Sequence, residues 1–250
     1  MENEIARLPI LRIAHGDISS TQDPVARETT LTVVLNNGDK TDLLCSPSKL
    51  EYLAVGFLCS QGLLKSKDEV RKIELDRKEG VIHIETSGTT GGFSNAESGV
   101  LPPAPGTIMS NHLRISPRQV SSLMKNFVSR SSTFKATGGV HSVALCKGEN
   151  ILIFSEDIGR HNAIDKVLGE RLLKNIPPEE CSIATTSRIP SGMLLKIARQ
   201  NIPIIISKSA PTDLGVRLAE AAGITLIGFA RGERMNVYSH NWRVVTDREI

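Results

Sequence analysis

Apolar and polar positions along the chain follow two regimes. In the first, short runs alternate. Thr30 to Leu35 and Thr41 to Cys45 flank Asn36-Asn37-Gly38-Asp39, which reads as a hairpin, and Val81-Ile82-His83-Ile84-Glu85 alternates like a further strand. Between them Leu50, Leu53, Ala54, Phe57 and Leu58 recur at helical spacing, with Ser46 as expected cap, Pro47 in the first turn and Gly62 as the stop. Cys59 lies beside that stripe and reads as a small packed residue rather than a reactive thiol. A second helix repeats the opening, with Ser116 as cap, Pro117 next, and Val120, Leu123, Met124, Phe127 and Val128 on its apolar face.

In the second regime the strands are apolar on both faces and alternate with helices. Ser142 to Cys146 and Ile151 to Phe154 form a hairpin around Lys147-Gly148-Glu149-Asn150. Helical spacing over Ala163 to Lys174, Met193 to Arg199 and Thr212 to Ala222 is interleaved with strands at Ser182 to Thr186, Pro203 to Ser207 and Ile224 to Phe229. Such strands imply a sheet covered by helices on both faces. A boundary near residues 107 to 116 would divide a smaller β-rich portion, 1–110, from an α/β portion, 111–250.

Composition narrows this picture only a little. Hydrophobic residues at 40% and charged residues at 23% suit a soluble globular protein with a sizeable core. A net charge of +3 suits an anionic ligand but falls short of the dense basic face of a nucleic-acid binder. No apolar run approaches the roughly 20 residues of a membrane span, and MENEIARLPI lacks the pattern of a secretory signal, so a cytoplasmic protein is expected. Cys45, Cys59, Cys146 and Cys181 form no C-x-x-C pair and are expected to be free thiols.

The chemistry concentrates where apolar strands run out. Ile151–Phe154 leads into 155-SEDIGRHNAIDK-166, Ser182–Thr186 into 187-SRIPSG-192, Pro203–Ser207 into 208-KSAPTD-213, and Ile224–Phe229 into 230-ARGERMN-236. In open α/β sheets the carboxyl ends of parallel strands line the ligand crevice, and helix N-termini there favour anions. Arg160, Arg188, Arg231 and Arg234 could converge on that edge, and the planar arginine fork suits phosphate. The residues thus point to a phosphorylated, nucleotide-like ligand, with Asp157, Gly159, Arg160, His161, Asn162, Ser187, Arg188 and Thr212 as candidate contacts.

Each candidate also has a structural reading. Ser187 and Ser191 could cap one helix, and Thr212 or Asp213 the next. Glu156, Asp157, Arg160 and Asp165 could form a charge network at a turn, and His161 could orient a loop or move a proton. The density of chemistry in SEDIGRHNAIDK favours function there. A strand that follows a hairpin can run antiparallel, which would carry one segment to the other end. P-loop, dinucleotide-fingerprint and zinc-deaminase motifs are absent, and no His/Cys cluster has metal spacing.

The segments SRSSTFKATGGVHSVAL, EDIGRHNAIDKV, TTSRIPSGMLLKIARQNIPIIISKSAPTDLGVRLAEAAGITLIGF and FARGERMNVYSH, with GFLCSQGLL in the first helix, resemble the FdhD family of formate dehydrogenase accessory sulfurtransferases. The resemblance runs from about residue 30 to the C-terminus. It implies a three-layer α/β/α, cytidine-deaminase-like domain with a smaller N-terminal portion. It also implies transfer of sulfur from a cysteine desulfurase to a molybdenum cofactor, bis(molybdopterin guanine dinucleotide), before the cofactor enters formate dehydrogenase. Family members bind the guanine dinucleotide and usually act as dimers. The family's nucleotide segment matches Phe229, Ala230, Arg231, Gly232, Glu233 and Arg234.

One loop departs from that pattern. Family members commonly carry a persulfide-bearing cysteine in a glycine-rich loop after the strand that matches Val81–Glu85. Here the corresponding positions are Ser87, Gly88, Thr89, Thr90, Gly91 and Gly92, in a stretch expected to be exposed and mobile. A threonine hydroxyl cannot hold a persulfide. Three functions follow as alternatives. The chain could transfer sulfur through another cysteine, Cys59 or Cys146. It could bind the guanine dinucleotide cofactor without transferring sulfur. It could be a hydrolase using His161 and Asp157.

Overall fold

The computed structural model of the chain describes residues 4–36, 38–87, 93 and 113–245. Its described residues form three sheets and six helices. A long hairpin comes first, β1 (Ile5–Ala14) and β2 (Asp17–Ala26), paired antiparallel over its whole length. Then β3 (Thr29–Leu35), β4 (Asp39–Cys45), β5 (Val70–Asp76) and β6 (Val81–Thr86) build a four-stranded sheet in the order β4-β3-β6-β5, with α1 (Leu50–Gln61) between β4 and β5 in sequence.

The remaining strands form a six-stranded sheet in the order β12-β11-β10-β9-β7-β8. They are β7 (His141–Lys147), β8 (Asn150–Asp157), β9 (Ser182–Thr185), β10 (Ile204–Ser207), β11 (Thr225–Arg231) and β12 (Arg234–Ser239). The helices of this part are α2 (Pro117–Arg130), α3 (Ser132–Thr137), α4 (Arg160–Leu173), α5 (Ser191–Arg199) and α6 (Asp213–Ala221).

Strand alternation assigns the two faces of this sheet. Val143, Leu145, Ile153, Ile183, Ile205 and Leu226 point toward α4, α5 and α6, while Ala144, Cys146, Ala184, Ile204, Ile206 and Ile227 point toward α2. The result is three layers, helix–sheet–helix, as the two-sided apolar strands require. The boundary expected at 107–116 falls largely on residues outside those described.

Two helix starts differ from the sequence reading. The first helix begins at Leu50, with Lys49 at its N-cap in the left-handed region (φ 55°), not at Ser46. Ser46 is buried and committed to tertiary contacts instead: its N–H donates to Asp157 Oδ2 at 3.1 Å and its Oγ accepts from the Ile158 N–H at 3.2 Å. At α5 neither Ser187 nor Ser191 caps; the N-cap is Pro190, with no side-chain bond. Ser116 does cap α2, in a reciprocal pair with Gln119, and Gly62 ends α1 at φ 77°.

The reading of α1 as one apolar stripe captures half of its burial. Leu53, Ala54, Val55, Leu58 and Cys59 share a core with the four-stranded sheet, and Gly56 and Ser60 are buried too. The opposite side of the helix lies on α4. At that crossing a Cβ on Gly56 would stand 1.8 Å from the Asp165 carbonyl oxygen, and one on Gly169 would stand 2.0 Å from that of Tyr52. Two glycines let the backbones touch, which joins the β-rich portion to the α/β portion.

Candidate functional site

Strand directions bring the candidate segments to one edge. β9, β10 and β11 are mutually parallel. β7 is antiparallel to β9, and β8 is antiparallel to β7, so β8 points the same way as the other three. The carboxyl ends of β8, β9, β10 and β11 therefore share one edge, and the hairpin carries no segment to the far end. The same logic places the start of β7, at His141, on this edge, opposite Asp157.

The loops at the edge are laced together by backbone bonds. Ile189 N–H donates to Ala210 O at 3.1 Å, Thr212 N–H to Ile189 O at 3.1 Å, and Phe229 N–H to Ser209 O at 3.0 Å. Short hydroxyl side chains complete the lacing: Ser207 Oγ donates to Ser187 O at 2.7 Å, and Ser209 N–H donates to Ser207 Oγ at 2.8 Å. Gly228 passes beneath the 209–211 loop, where a Cβ would stand 2.9 Å from Tyr238 Cε2 and 3.2 Å from Ser209 O. Phe229 follows in the left-handed region (φ 50°), uncommon for an aromatic residue. Strain held by surrounding bonds is characteristic of functional segments.

Basic groups crowd this rigid rim. Arg231 Nε donates to Lys208 O at 2.9 Å, and its guanidinium lies 5.9 Å from the Phe229 ring centroid. Arg231 and Arg234 are cross-strand partners around the Gly232-Glu233 turn. Like charges directly opposed cost stability, so this pair suits an anion more than it suits the hairpin. Burial pushes the His141 pKa down, the guanidiniums of Arg160 and Arg188 push it further, and Asp157 opposes them. Arg160 Nε is buried and has no hydrogen-bond partner among the described residues. A cleft of about 420 Å³ opens here, lined by His141, Thr186, Lys208, Ser209 and Arg231, with Phe134 and Gly138–Gly139 on its other wall. A second compartment of about 670 Å³ shares Lys208 and Arg231 and extends along α2 past Lys125 and Arg118, with Ala230, Gly232 and Glu233 on its wall.

Other candidates lie away from the cleft. Asp157 is fully buried. Its Oδ2 pairs with Lys166 Nζ at 2.6 Å, and its Oδ1 accepts from Gly159 N–H at 2.9 Å and Asn162 Nδ2 at 3.1 Å. Asn162 Nδ2 also donates to Leu44 O at 2.7 Å. This cluster braces the β8–α4 turn against the β4–α1 segment and encloses Asp157 away from solvent, which suits the brace more than a proton carrier. Glu156 is buried too, and accepts the Thr133 and Phe134 N–H groups at 3.0 and 3.2 Å. His161, the second residue of α4, has Cε1 3.3 Å from where a Cβ on Gly192 would sit. Ser187 is buried, its Oγ 3.1 Å from Thr185 Oγ1. Thr212 caps α6 by accepting the Gly215 N–H at 3.1 Å.

Sequence reading passed over His141 and Lys208. Lys208 follows its strand directly, but as a single ammonium it lacks the planar fork that marks the arginines of the same edge. His141 opens a strand, and nothing local shows that an antiparallel strand begins where its neighbours end.

The thiols are elsewhere. All four cysteines are buried and free. Burial pushes Cys45, Cys59 and Cys146 up to about 12 and raises Cys181 as well. Of the loop that corresponds to the family's cysteine loop, Ser87 is described; its N–H donates to Glu69 O at 2.8 Å. Gly88, Thr89, Thr90, Gly91 and Gly92, and the expectation of a mobile loop, lie outside the described residues.

Fold and rim together define an α/β protein with a crevice lined by basic side chains at the carboxyl edge of its main sheet. The chain belongs to the FdhD/NarQ family, whose model matches residues 26–245. A Bacillus subtilis relative named sulfur carrier protein FdhD is 35% identical over 250 aligned residues, covering 94% of this chain and 95% of that one. A relative of the same name from Staphylococcus haemolyticus is 34% identical over 251, with the same coverage. A solved structure described as a formate dehydrogenase accessory protein from Desulfotalea psychrophila superposes with a TM-score of 0.83 at 29% identity, covering 96% of this chain and 99% of that one. Among the described residues, no helix is long and apolar enough to cross a membrane.

Proposed function

We propose that this chain is a formate dehydrogenase accessory protein that acts in sulfuration of a molybdenum cofactor, and that its own part is to hold the guanine dinucleotide of that cofactor at the strand edge. The observation that carries this reading is that His141, Lys208 and Arg231 line the 420 Å³ cleft, with the charges of Arg160 and Arg188 acting on His141 from beside it. A pyrophosphate-bearing nucleotide is the ligand class such a rim fits. In this reading the partners are a cysteine desulfurase and formate dehydrogenase, the chain works in the cytoplasm, and it acts as a dimer.

Arg231→Ala is expected to weaken guanine nucleotide binding about tenfold, the loss of one charge-assisted contact, and Arg234→Ala similarly. Calorimetric titration checks this; unchanged affinity in both variants would remove the assignment.

A second reading is favoured by the relatives' name: the chain carries the sulfur itself. The thiols weigh against it. A thiol at about 12 is ionised to about one part in 10⁵ at pH 7, and the thiolate is the form that accepts sulfur. Incubation with a cysteine desulfurase and cysteine is expected to leave the intact mass unchanged while guanine nucleotide still binds. A gain of one sulfur mass, mapped to any of the four cysteines, would establish the carrier reading instead.

A further inference from the structure

A second basic cleft lies at the other end of α4. That helix starts at the strand edge with Arg160 and reaches Arg171 eleven residues later, about 16 Å away at 1.5 Å per residue. The cleft there has a volume of about 500 Å³ and is lined by Arg171, Arg199, Lys65, Gln200 and Cys59.

Arg171 is 8% exposed. Its Nη1 donates to Ile176 O at 3.1 Å and its Nη2 to Gln200 Oε1 at 2.6 Å, both neutral acceptors, while Nε is buried and donates to nothing among the described residues. Arg199 donates to the carbonyl of Ser60. Among the described residues no carboxylate makes an ion pair with Arg171, Arg199 or Lys65. The nearby acids are engaged: Asp165 with Lys196, Glu170 with Lys49 and Lys174, Glu180 with Lys147, and Glu69 with the Lys65 backbone N–H. Burial lowers the Arg171 pKa, and Cys59, Cys181 and Glu179 only partly offset that. Cys59, raised by burial to about 12, is a neutral wall. A guanidinium held away from water against neutral acceptors is costly unless an anion joins it.

We infer that this cleft is a second anion site, built for a small carboxylate or phosphate that pairs with Arg171 and Arg199. It is independent of the strand-edge reading, because the two clefts share no residue. The test follows the Arg171 Nε–H resonance in ¹⁵N-arginine-labelled protein during titration with inorganic phosphate and, separately, with succinate. A saturable shift is expected with at least one, and the anion that saturates at the lower concentration identifies the class. Arg199→Gln is expected to weaken that response about tenfold, whereas Arg231→Ala leaves it unchanged. The circular dichroism spectrum and thermal melt of Arg199→Gln, expected to match the parent, report that the variant is folded. A shift that never saturates with either anion, or one that Arg199→Gln leaves in place, overturns the site.

Discussion

Gly56→Ala is expected to lower stability by about 3 kcal/mol, the upper end of overpacking costs, or more. Its Cβ would stand 1.8 Å from the Asp165 carbonyl oxygen and 2.9 Å from the Gly169 N. Both are backbone atoms of α4, which no rotamer change can move. Relief requires separating α1 from α4, and that separation opens the core that α1, the four-stranded sheet and Leu172 of α4 share. For a chain of this size the cost corresponds to a fall in melting temperature of roughly 6–12 °C. Gly62→Ala is the control. It has open space around its Cβ but φ 77°, so it carries only backbone strain of about 1–2 kcal/mol. Thermal melts of the two variants check the difference; equal shifts would mean that the helix crossing is not the tight contact described.

Lys166→Met is expected to cost about 3–5 kcal/mol, because it leaves a buried carboxylate without its cation. Lys166 and Asp157 are both fully buried, and the ammonium also donates to Ser46 O at 3.1 Å and Glu156 O at 3.3 Å. The pair fastens three things at one point: the end of β8, the start of α4 and the segment before α1. Asp157→Asn in the Lys166→Met background removes the stranded charge and should recover part of the loss. Denaturant titration of the two single variants and the double variant measures the coupling. Additive losses would mean that the two groups do not act as a pair. Because this brace supports the turn that carries Arg160, guanine nucleotide affinity is expected to fall in Lys166→Met even under conditions where it remains folded.

The charge-rich EDIGRHNAIDK segment shows why a dense run of polar residues is a weak guide to which of them meets a ligand. Sequence density drew attention to it, and the segment does end a strand at the candidate edge. Yet Asp157, Asp165 and Lys166 face inward and are consumed by pairing, while Arg160 stays at the rim. The alternation of β8 and the turn of α4 decide this, and both depend on partners more than a hundred residues away, such as Ser46 and Ser60.

Apolar periodicity alone was sufficient for most helices and strands, for the three-layer arrangement and for the strand-end placement of the arginines, because burial of one or both faces writes a period of 3.6 or 2 into the chain. What it could not convey was direction and distance. That β8 runs with β9, β10 and β11 follows from two antiparallel pairings, which bring His141 to the edge and keep Arg160 there. That Gly56 and Gly169 meet, that Ser46 holds Asp157 instead of capping a helix, and that Arg171 and Arg199 share a cleft are contacts between segments distant in sequence. Such contacts exist only when packing selects one register and one crossing, and no local pattern encodes them.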